Sequence, residues 1–156
     1  MKKKELVYVT FIRTTPKKLW DAITKPEFAR KYWGGMGNVS TWKKGAKWEH
    51  VDHDEKGLVR LVGKVLECKP PKRLSLSWAS VDDLKDVSRV TFEIEPIEDM
   101  VRLNVIHDRL KPGSSMAKGV AWGWPRVISS MKTYLETGKG LNVFAGDDES
   151  PCEKNN

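Results

Sequence analysis

The chain has 156 residues, 39% hydrophobic and 31% charged, the proportions of one ordinary globular domain. They exclude collagen-like, low-complexity and largely disordered chains, and no apolar run approaches the roughly 18–20 residues of a membrane span. Lys+Arg 28 against Asp+Glu 21 leaves a net charge of +7, but the basic residues are scattered and no nucleic-acid motif accompanies them, which argues against a nucleic-acid partner.

Residues 5–13, Glu-Leu-Val-Tyr-Val-Thr-Phe-Ile-Arg, are β-branched and aromatic and predict a first strand. Thr15-Pro16 supplies an N-cap and a first-turn proline for a short helix with Leu19, Trp20 and Ile23 on one face. Pro26 restarts the helix, and Phe28 with Tyr32 and Ala29 with Trp33 sit four apart before Gly34-Gly35 ends it. From residue 40 the period becomes two. Trp42 and residues 46–51 predict a strand around a Lys43-Lys44-Gly45 turn, followed by strands over 58–68, 74–78, 90–94 and 101–107. Residues 80–86 read as a polar loop. The links between strands are short, so the strands form an antiparallel meander with one buried face. Pro112-Gly113 breaks the pattern, and residues 114–137 follow with helical period, closed by Gly138 as C-cap. Pro125 lies inside this segment, so the helix either kinks near 121–124 or becomes regular from Pro125. One α+β domain over 4–140 results, with about six strands, and a polar, disordered tail over 141–156 that contains Cys152.

Cys68 and Cys152 make neither a CxxC nor a metal spacing, and the N-terminus lacks the apolar core of a signal peptide, so a reducing cytoplasm is the expected setting. His50-x-x-His53 with Asp52 and Asp54 invites a metal, but residues three apart on a strand point to opposite faces; no metal and no cofactor are expected. No nucleotide-binding or nucleophile-elbow motif is present. His107 shares the phase of Val101, Leu103 and Val105, so it points inward. There it acts either as a satisfied core histidine or as a neutral group that orients a ligand.

Seven tryptophans are the unusual feature of the composition. Large amphipathic rings suit the walls of an apolar cavity with a few polar handles, and they also suit a filled core. The candidate cavity residues are Trp33, Trp48, His50, Trp78, Phe92, His107, Trp124, Ile128 and Met131.

The order of elements resembles the helix-grip fold of the START-like, birch-pollen-allergen and polyketide-cyclase superfamily (SRPBCC). Within it the chain is similar to single-domain members of the family named for the activator of the ninety-kilodalton heat-shock protein's ATPase. Four stretches carry the resemblance: Thr15-Pro16-x-x-Leu19-Trp20-Asp21-Ala22-Ile23-Thr24; Lys31-Tyr32-Trp33 before Gly34; the hairpin from Val90 to Val105 ending in His107; and Gly123-Trp124-x-x-Val127-Ile128-x-x-Met131-Lys132-x-Tyr134-Leu135-Glu136-Thr137-Gly138. The resemblance implies a curved antiparallel sheet gripping the long C-terminal helix, with a cavity between them. It also implies a monomeric binder of a small hydrophobic or aromatic molecule, lipid- or polyketide-like, without chemical conversion. The alternatives it carries are a co-chaperone-like module that stimulates a heat-shock ATPase in a stress response, with a chaperone as protein partner, and a cyclase-type enzyme using the same cavity.

Overall fold

The computed structural model of the chain describes residues 2–146. Strand β1 (Lys4–Ile12) leads into helices α1 (Pro16–Thr24) and α2 (Pro26–Ala29). Six strands follow: β2 (Met36–Ser40), β3 (Lys47–Asp52), β4 (Leu58–Lys69), β5 (Arg73–Ser80), β6 (Asp83–Ile97) and β7 (Met100–Leu110). Helix α3 (Ser115–Thr137) closes the fold. All strands form one curved antiparallel sheet in the order β1-β7-β6-β5-β4-β3-β2, so the last strand of the meander returns to pair with the first. The part of the expected tail over 147–156, with Cys152, lies outside the described residues.

Local signals set the helix ends. Thr15 accepts from the Lys18 N–H at 3.2 Å and Pro16 opens α1. Ser114 caps α3 through the Ala117 N–H, and Gly138 ends it at φ 89°, where a residue without Cβ is unstrained. Helix α3 continues through Pro125, whose ring faces solvent. Packing of the stripe carrying Trp124, Val127, Ile128 and Met131 outweighs the lost bond.

The sheet has seven strands where about six were expected. The added one is β2, which the period-two pattern does not mark. Residues 80–86 belong mostly to the ends of β5 and β6, joined by a tight turn with Ser80 opposite Asp83. Trp42 lies outside the strands at φ 61°, its indole donating to the Thr24 carbonyl.

The inner face of the sheet is apolar. Leu74, Leu76 and Trp78 of β5 alternate inward, as do Val90, Phe92 and Ile94 of β6 and Val101, Leu103 and Val105 of β7, and all are buried in one core with α3. The outer face carries cross-strand ion pairs. Arg73 bridges Glu67 and Glu93, and Arg89 binds Asp108 through two hydrogen bonds. At the sheet edge, Lys132 of α3 donates to the Phe11 carbonyl at 2.6 Å and Glu136 accepts from the Arg13 N–H at 2.9 Å, clasping the helix to β1.

Candidate functional site

The inner face of the sheet gathers the aromatic residues because each occupies an inward position on its strand. Trp48 and His50 alternate inward on β3, Trp78 on β5 and His107 on β7. Helix α3 lowers Trp124 onto them, and the link after α2 brings Trp33 in from the side. The ring centroids lie 4.9 Å apart for Trp33–His50, 5.6 Å for Trp33–Trp124, 5.3 Å for Trp48–Trp78, 5.7 Å for Trp78–Trp124 and 5.3 Å for Trp78–His107. Phe92 meets Trp124 edge-on at 5.9 Å. These offset and tilted contacts are the favoured ones for aromatic pairs. Ile128 and Met131 are buried in the same core, one and two turns further along α3. All nine expected cavity residues are therefore interior, and seven of them form one contiguous cluster of rings.

His107 is fully buried. The Trp124 indole can only donate, so its Nε1–H at 3.0 Å makes His107 Nδ1 an acceptor. The proton of the neutral ring is then on Nε2, which donates to Ser88 Oγ at 2.7 Å. The hydroxyl in turn donates to the Trp78 carbonyl at 3.4 Å. Ser88 reaches both because it is opposite Trp78 on β5, and one inward step from Val90, which is opposite His107 on β7. Burial lowers the His107 pKa to about 4 against a weaker opposing pull from Asp108. Asp108 points to the outer face and is committed to Arg89, whose hydrogen bonds hold its carboxyl below the ordinary value.

His50 is held differently. Asn38 on β2 is opposite it, and the Asn38 Nδ2 donates to the Ile23 carbonyl at 3.0 Å. That orients the amide so that Oδ1 faces His50 Nδ1 at 2.8 Å and accepts its proton. Burial lowers the His50 pKa to about 3, with Asp52 opposing and His53 adding. His53 lies beyond the end of β3, and among the described residues no cluster of three metal-ligating side chains occurs. Trp48 passes over Gly63, which is opposite it, and donates to the Ser77 carbonyl at 2.7 Å.

Two partners escaped sequence reasoning. Asn38 lies on the unpredicted strand, and Ser88 has no motif around it. Two surface depressions of about 340 Å³ lie elsewhere, one over the outer ion pairs of Arg73 and Glu93, the other between Pro125 and Val143. Neither is lined by the tryptophan cluster. Among the described residues, no helix is long and apolar enough to cross a membrane.

Comparison with known proteins follows the same architecture. The chain is similar to the solution structure of CalU16 from Micromonospora echinospora at 19% identity and TM-score 0.71, covering 93% of this chain and 75% of that one. It is similar to the protein MLL2253 from Mesorhizobium loti at 26% identity and TM-score 0.71, covering 85% and 96%. It is also similar to the solution structure of the Aha1 dimer from Colwellia psychrerythraea at 19% identity and TM-score 0.68, covering 88% and 99%. No curated protein sequence matches the chain. The family model described as activator of Hsp90 ATPase homolog 1-like protein matches residues 13–136. With that match over most of its length, on a helix-grip fold, the chain belongs to the activator of Hsp90 ATPase homolog 1-like family.

Proposed function

We propose that the chain binds a small hydrophobic, aromatic molecule between the sheet and α3, without converting it. The observation that carries this is the continuous interior cluster of Trp33, Trp48, Trp78 and Trp124 with two neutral histidines inside it. An apolar wall with a few fixed polar groups is the ordinary composition of a ligand site.

The wall that moves is Trp33. It sits on a connection rather than inside a strand or helix, and Gly34 and Gly35 follow it at φ 61° and 82°. Rotation there separates Trp33 from Trp124 and lets a planar guest replace the ring contact, with burial of ligand carbon driving affinity at about 25 cal/mol per Å² less ordering costs. Turnover is disfavoured by the same geometry. Both His107 nitrogens are bonded within the protein, and the nearest acid in sequence, Asp108, faces the other side of the sheet.

The test is an amide NMR titration with planar and steroid-like apolar compounds. Saturable shifts concentrated on Trp33, Trp78, Phe92 and residues 124–135 are expected. A library that produces no saturable shift in the cluster would overturn the proposal.

A further inference from the structure

Among the described residues, the interior cluster contains one buried donor without an acceptor. Trp78 Nε1–H is buried and has no hydrogen-bond partner among the described residues, whereas the Trp48 and Trp124 indoles donate to Ser77 and His107. An unpaired N–H in an apolar interior is unfavourable, so a group that satisfies it gains affinity.

The neighbouring imidazole has the opposite need. The Asn38 amide, oriented by Ile23, places the His50 proton on Nδ1, so Nε2 presents a bare lone pair. The His50 and Trp78 rings lie 6.2 Å apart between centroids, and the residues are 4% and 5% exposed. One buried donor and one unpartnered acceptor, on neighbouring rings, call for an atom that can serve each in turn. A carbonyl or ether oxygen satisfies Trp78 and leaves His50 bare. A carboxylate brings a charge into a site with no cation, because His50 stays neutral when buried. A hydroxyl has both a lone pair and a proton.

We propose that the site selects a neutral hydroxylated aromatic compound, whose hydroxyl oxygen accepts from Trp78 Nε1 and donates to His50 Nε2. This rests on the ligand-binding proposal above and narrows it to a chemical class. The aromatic body lies among the rings of Trp33, Trp48 and Trp124, which surround the two polar groups.

Three probes of one shape separate the possibilities: 2-naphthol, 2-methoxynaphthalene and naphthalene, titrated into the full chain by calorimetry. We expect 2-naphthol to bind about tenfold tighter than either of the others, the worth of two buried hydrogen bonds over their absence. In Trp78→Phe, which keeps an aromatic ring but removes the N–H, the preference for 2-naphthol over naphthalene should disappear. The wild-type comparison stands whether or not the variant folds. Equal or weaker binding of 2-naphthol, or a preference that survives Trp78→Phe, overturns the hydroxyl site and leaves ligand binding intact. If none of the three binds while other planar compounds shift the cluster, the hydroxyl site fails alone. If no compound of any kind binds, both proposals fail together.

Discussion

Protonation of His107 at Nδ1 would remove the acceptor that Trp124 uses, and a charge on His50 would have to exist among three indoles. Both rings therefore stay neutral in the folded chain, with pKa values lowered by burial to about 4 and about 3, against an ordinary 6.5. The unfolded chain takes up these two protons as pH falls through 6.5, and the folded chain does not. Stability is then full above pH 6.5 and declines below it, by about 1.4 kcal/mol per pH unit for each histidine. Urea unfolding at pH 7.5, 6 and 5 should show this fall, and His107→Gln should reduce the slope by about half if it folds. A flat profile between pH 6.5 and 5 would mean that the rings reach solvent. The inward phase of both histidines was legible in the sequence, because period two on a strand assigns a face. Their tautomers were not, because Asn38 and Ser88 come from other strands and the choice of proton depends on register.

Two glycines on different elements show how tightly the site is built. A Cβ on Gly63 of β4 would stand 1.9 Å from the Ser77 carbonyl oxygen and 2.4 Å from Trp48 Nε1, so the indole and its bond occupy the space of a side chain. Gly63→Ala should therefore destabilise the fold by more than about 2 kcal/mol, by the overpacking and the broken bond together. Gly123 in α3 meets nothing within 4 Å, and Gly123→Ala should stabilise by about 1 kcal/mol through helix propensity. Thermal unfolding of both variants checks the contrast. Most elements could be read from the chain because their apolar residues keep a strict period. Strand β2 could not, since Met36-Gly37-Asn38-Val39-Ser40 contains two residues that disfavour strands and forms through pairing with β3. The ends of β5 and β6 were hidden for a related reason, being polar and extended by their partner rather than by burial.

The sheet and α3 hold the core between them, tied at one edge by Lys132 and Glu136, so a guest in the cluster touches the two halves of the fold at once. Ligand binding must then show as global stability. At a concentration one hundred times its dissociation constant, a ligand that binds only the folded chain adds about 2.7 kcal/mol to the unfolding free energy. A compound that leaves the urea midpoint unchanged at such a concentration does not bind the folded chain in preference to the unfolded one. The family and fold were legible at this scale because they rest on the order of elements and on the α3 stripe. Whether rings or space fill the centre depends on side-chain packing that no pattern encodes. That packing also has an optical consequence. Trp48, Trp78 and Trp124 lie with neighbouring centroids 5.3 and 5.7 Å apart, close enough for their electronic transitions to couple, while Trp20, Trp42 and Trp122 stand apart from the ring contacts of the cluster. The native chain should give an exciton couplet in its ultraviolet circular dichroism, and a guest sliding between the rings would alter its sign or strength, so that the protein reports on its own interior without any label.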